Sequence, residues 1–189
     1  MAFEPRSTFP PRELPVPIAD YGVRRSVAGV AGGVGTSTLA AAMGARDRGV
    51  FVGRPVDVLV CRATGDSLVR AGHAARLITQ STGRKPVVAV TSTDASGPSR
   101  PVTARLRLLE PHTSAVVVLP FIRRWRDVTA PLDEARALLK VPRTDLPRPL
   151  RRYAIAAQSL VPVLDGHVAA TPTPPVRRSM SRHILGRMR

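Results

Sequence analysis

The segment Val27-Ala28-Gly29-Val30-Ala31-Gly32-Gly33-Val34-Gly35-Thr36-Ser37-Thr38-Leu39-Ala40 constrains this chain more than any other. A β-branched run leads into it, four glycines fall within seven residues, and hydroxyl side chains stand where an Ala-rich helix would begin. Glycine reaches backbone conformations closed to other residues, so such a stretch can curl until its N–H groups point at one anion. The helix that follows adds the positive end of its dipole. The pattern therefore predicts a strand, an anion-cradling loop and a helix, in that order.

The rest of the chain repeats that alternation. Strands are expected over residues 26–31, 57–62, 87–92 and 115–119, the last stopped by Pro120. Helices are expected over 36–47, 66–81, 100–110, 131–140 and 147–160, with Leu68, Ala71, Ala75 and Ile78 sharing a face of the second. Only 4% of the residues are aromatic although 43% are hydrophobic, so the core must be built from Val, Ala and Leu. Val-rich strands between helical segments predict an α/β fold, a mostly parallel sheet with helices on both faces in a Rossmann-like three-layer arrangement. The domain is expected over residues 21–170. A Pro-rich arm precedes it at 1–20, and a Pro linker and basic tail follow over 171–189.

The formal net charge is +16, and Lys85 and Lys140 are the only lysines among the bases. A chain so basic attracts polyanions, either nucleic acid or an anionic membrane surface. Arginine-rich coding bias would produce the same composition. Cys61, the single cysteine, lies in an apolar run and reads as a buried structural thiol in a reducing compartment. No apolar stretch reaches the roughly 18–20 residues of a membrane span. The N-terminal residues, with prolines and both signs of charge, do not read as a signal peptide. The expected location is cytoplasmic, with the membrane surface or the nucleoid as peripheral sites.

Residues 31–38, Ala-Gly-Gly-Val-Gly-Thr-Ser-Thr, resemble the deviant phosphate loop (deviant Walker A, SIMIBI class) of the ParA/MinD family of partition and positioning ATPases, which reads Lys-Gly-Gly-Val-Gly-Lys-Thr-Thr. Gly32, Gly33, Val34 and Gly35 match in place, Ser37 stands where the magnesium-binding hydroxyl would be, and Thr38 follows. The resemblance implies a P-loop NTPase-like fold, ATP and Mg²⁺ as cofactors, residues 32–38 as the nucleotide cradle and Ser37 as a metal ligand. It also implies a homodimer, because the family's signature lysine reaches across a dimer interface. Both family lysines are replaced here, by Ala31 and Thr36. No apolar run ends in a metal-facing carboxylate, and if residues 57–62 are matched to the Walker B strand, Arg62 falls where the aspartate belongs. Arg24, Arg54 and Arg62 are the candidates for a replacement charge.

Weaker likeness continues through residues 57–78 and 116–120, the latter similar to the family's final strand before its nucleotide-base loop. The resemblance spans about residues 26–140, with specificity only in the loop. Removing a cation that contacts a transferring phosphoryl group commonly lowers rate by about 10²–10³-fold. These substitutions argue for a degenerate loop and against hydrolysis, and no catalytic residue is assigned.

Three further groups stand out. Thr91, Thr93 and Asp94 follow the third strand, at the rim where open α/β sheets bind ligands, and Asp94 reads either as a base or ribose contact or as an ordinary turn residue. Arg123, Arg124, Trp125 and Arg126 follow the fourth strand and combine the residue types most enriched at binding hot spots. The same Trp could instead fold back onto the core. In the tail, Arg177, Arg178 and Arg182 accompany an apolar stripe of Met180, Ile184 and Met188 at helical spacing, suited to an anionic membrane. A disordered arm on nucleic acid is the other reading. The four histidines are scattered without metal-ligand spacing. Together these features lead to the expectation of a ParA/MinD-like accessory protein that works by binding a protein partner in positioning, partition or plasmid transfer. The alternatives are a weak ATP-binding or hydrolysing protein, and a basic nucleic-acid adaptor.

Overall fold

The computed structural model describes residues 25–169. The N-terminal arm and the tail, with Arg24, Arg177, Arg178 and Arg182, lie outside the described residues. The elements in chain order are β1 (Ser26–Gly29), α1 (Thr36–Met43), β2 (Arg46–Val50), β3 (Val58–Arg62), α2 (Gly65–Thr82), β4 (Val87–Thr91), α3 (Arg100–Leu109), β5 (Ala115–Leu119), α4 (Pro131–Ala137) and α5 (Arg148–Ala169). Short 3-10 turns occupy Glu110–His112, Arg123–Arg126 and Arg143–Asp145. The five strands form one sheet in the order β2-β1-β3-β4-β5, with every neighbouring pair parallel.

A parallel strand covered by helices on both sides must be apolar along its covered length, and β3 and β4 meet that demand up to their last residues, Arg62 and Thr91. Val58, Val60, Val87 and Ala89 turn to the core shared with α1, α4 and α5. Leu59, Cys61, Val88 and Val90 turn to the second core, under α2 and α3. The four α2 residues expected on one face, Leu68, Ala71, Ala75 and Ile78, are all buried there. The architecture is thus the expected α/β three-layer fold.

The largest departures from the expected boundaries are at the ends of α1 and α5, while β1 stops at Gly29 instead of residue 31 and α4 at Ala137 instead of residue 140. The first helix does not continue to residue 47: Gly44 takes a left-handed conformation (φ 61°) and donates its N–H to the carbonyls of Ala40 and Ala41, closing α1 at Met43. The chain then enters a fifth strand, β2, which the sequence did not announce because all five of its residues, Arg-Asp-Arg-Gly-Val, are exposed. Within β2, Gly49 has a positive φ of 68° and donates to Asp47 Oδ1 at 2.8 Å, and the register with β1 shifts there. At the other end of the chain, α5 runs on past residue 160 and through the exposed Pro162.

At the base of the sheet, Asp57 Oδ2 accepts from both the backbone N–H and the hydroxyl of Ser26, each at 2.7 Å, which ties the starts of β1 and β3 together. Arg25 pairs with Asp165 of α5 at the same end.

Cys61 is fully buried, and desolvation pushes its thiol from about 9 up to about 12. The folded state therefore keeps the proton that the unfolded chain releases above pH 9. That contribution is complete below pH 9 and is lost as pH rises toward 12, at up to about 1.4 kcal/mol per pH unit. Urea titrations between pH 8.5 and about 10.5 should show stability falling with pH, and Cys61→Ala should flatten that slope. An unchanged slope in the variant would refute the assignment to this thiol.

Candidate functional site

The loops that follow β1, β3, β4 and β5 meet at the carboxyl end of the sheet. Because β2 and β3 flank β1 on opposite sides, the strand order reverses at β1, and a crevice opens beside that point. The crevice is a cleft of about 270 Å³ whose lining includes Gly33, Gly35, Arg62, Thr91, Trp125 and Tyr153.

The glycine-rich loop forms the first wall. Gly33 and Gly35 hold positive φ angles of 67° and 94°, which let the chain turn twice before α1 begins. Gly29 is required for a different reason, since a Cβ there would stand 2.2 Å from Thr36 Oγ1 and 2.7 Å from Val34 Cγ2. The helix start has no side-chain cap. Among the described residues, the backbone N–H groups of Gly32, Gly33, Gly35, Thr36, Ser37 and Thr38 donate to no protein acceptor. Such a run of free donors at a helix start is suited to an anion.

Two side chains from neighbouring strands fix the loop. Thr91 Oγ1, at the end of β4, lies 2.9 Å from the Val34 carbonyl and 3.1 Å from that of Cys61. Arg62, at the end of β3, donates from Nη2 (2.7 Å) and Nε (3.2 Å) to the Gly33 carbonyl. Its own backbone N–H is held by the buried Ser67 Oγ at 2.9 Å. Of Arg54 and Arg62, the two replacement-charge candidates among the described residues, Arg62 is the one placed at the loop, and Arg54 is exposed in the connection after β2.

The opposite wall follows β5. Trp125 is half-buried, donates from Nε1 to Glu134 Oε2 at 2.7 Å, and meets Tyr153 edge-on with ring centroids 4.7 Å apart. It both packs on the core and lines the cleft. Arg124 pairs with the same Glu134 at 2.8 Å, Arg126 lies over Phe121 at 4.8 Å, and Arg123 is exposed. Burial raises the Tyr153 phenol above its ordinary range, so the ring stays neutral at physiological pH.

The expected loop residues do not all face one way. Val34 is buried beneath the loop, and Thr36 turns inward toward Gly29. Thr38 lines the cleft, whereas Ser37 is exposed and lines a separate groove between α1 and α4. Asp94 accepts from the Ser96 N–H at 2.8 Å, the geometry of a turn residue, and lines an adjoining groove. The Phe121 and Tyr153 contributions were not foreseen. Tyr153 lies in a helix with no sequence link to the loop, and the packing of α5 against β5, β4 and α1 brings it there.

The Mg²⁺ that the loop's resemblance implies does not fit this donor set. The end of β3 presents a guanidinium instead of a carboxylate, Ser37 faces another groove, and no cluster of three metal-ligating side chains occurs among the described residues. No helix of the described residues is long and apolar enough to cross a membrane. Comparison of the chain with family models, curated proteins and solved structures returns no match.

Proposed function

We propose that this is a ParA/MinD-like accessory protein whose glycine-rich loop holds the phosphates of a nucleotide and whose Trp125 rim presents the bound state to a protein partner. The observation that carries the reading is the run of free N–H donors at the start of α1, opening on a cleft walled by Arg62 and three aromatic rings, Phe121, Trp125 and Tyr153. Neutral Thr36 in place of a phosphate-bridging lysine argues for binding without efficient hydrolysis.

Equilibrium binding of labelled ATP, ADP and GTP tests this directly. Trp125, the only tryptophan, should report occupancy by a change in its fluorescence. Thr36→Lys should tighten ATP binding about tenfold or more, because it adds a charge-assisted contact. Absence of nucleotide binding, or steady ATP turnover that Ser37→Ala abolishes, would overturn the reading.

A further inference from the structure

We infer that the cleft takes its phosphate ligand without a divalent cation, with the Arg62 guanidinium doing the charge compensation that a magnesium ion would otherwise supply. The inference rests on the proposed nucleotide-phosphate reading and narrows it to metal-free ligands.

The charge of the lining points this way. Among the described residues that line the cleft, Arg62 and Arg126 are charged and none is acidic. Two carboxylates touch lining residues from outside the cleft: Glu134, held by Trp125 Nε1 and by Arg124, and Asp94, which accepts from the lining Thr93 hydroxyl at 3.2 Å and from the Ser96 N–H and lines an adjoining groove. A dication in the cleft would meet two guanidinium groups and no anionic ligand, whereas Mg²⁺ is ordinarily bound through carboxylates together with substrate phosphates. A phosphate would meet complementary charge.

Geometry points the same way. Arg62 is anchored at both ends, by Ser67 Oγ on its backbone N–H and by the Gly33 carbonyl on its side chain. A guanidinium carries five N–H donors, and that carbonyl engages two of its nitrogens, so donors remain for a second acceptor. An anchored guanidinium loses little freedom when an anion arrives, which favours a planar, bidentate grip on phosphate oxygens. The same anchor places the charge beside the loop whose backbone N–H groups are free.

Calorimetric titration of the full chain with ADP and with inorganic pyrophosphate, each in EDTA and in excess MgCl₂, tests the inference. Binding is expected in EDTA, with no tightening on adding Mg²⁺. Arg62→Gln should weaken binding in EDTA about 10- to 100-fold and flatten its dependence on salt. Arg62 is exposed, and circular dichroism of the variant checks that the fold survives. Binding that requires Mg²⁺ would overturn the inference while leaving the nucleotide reading standing. Weaker binding in Arg62→Gln with an unchanged salt dependence would also overturn it, because the arginine would then act only by shaping the loop. No binding under either condition would remove the nucleotide reading itself.

Discussion

Gly29→Ala should destabilise the protein by roughly 3 kcal/mol, the upper end of what an added methyl costs in a packed interior. The new Cβ would fall 2.2 Å from Thr36 Oγ1, 2.7 Å from Val34 Cγ2 and 3.0 Å from the Ala31 carbonyl. None of these atoms is the free end of a long side chain. Thr36 opens α1, Val34 is buried, and the carbonyl belongs to the loop itself. Relief must come from moving the loop away from β1, so anion binding should fall with stability. Thermal melts should show a loss of roughly 2–4 °C per kcal/mol. In a double-mutant cycle, Thr36→Ala should recover part of the loss, because it removes the nearest clash and leaves the other two. A Gly29→Ala protein with unchanged melting would show that the strand–loop junction is looser than this packing implies.

Tyr153→Ala should cost more, about 3–5 kcal/mol, the range for deleting a buried aromatic ring. Tyr153 is 3% exposed, packs in the core beneath α1 and α4, and supports Trp125 edge-on. The change therefore opens the floor of the cleft and releases one of its walls. Trp125 emission should shift to the red as its ring gains water. The ring–ring contact itself should appear in a cycle with Trp125→Ala as about 0.5–1.5 kcal/mol of coupling. Tyr153→Phe keeps the ring and should melt within a few degrees of the parent. If the alanine variant is stable, or the phenylalanine variant is not, the ring is not the support described.

What the sequence discloses depends on how much each residue's surroundings are determined by its neighbours in the chain. Strands β3 and β4 were legible because burial on both faces leaves an uninterrupted apolar run, as in Val58–Arg62 up to its last residue. β2 was not, because an exposed edge imposes no pattern on its side chains. The overrun of the first helix has the same origin: Ala-rich composition continues through Ala45, and Gly44 was the available stop signal.

The loop was legible through its glycines, whose spacing reflects backbone needs within a few residues. The cleft was not. Arg62 reaches Gly33 only because β3 lies beside β1, and Trp125 finds Tyr153 only when α5 has docked. Such pairings are products of topology, and the short-range pattern that identifies a loop holds no information about which arginine will close over it.

The irregular edge at β2 has a bearing on how this protein behaves at high concentration. A parallel sheet ends in a row of unpaired backbone groups, and a flat edge of that kind recruits strands from other molecules. Here the edge carries Arg46, Asp47 and Arg48 in succession, and the positive-φ Gly49 breaks its line just before the exposed Val50. An incoming chain would have to match a kinked register while bringing further charge beside two arginines. The same five residues that hid the strand from its sequence thus act as a guard against intermolecular sheet growth, and straightening them, as in Gly49→Val, would turn the edge into a template for aggregation.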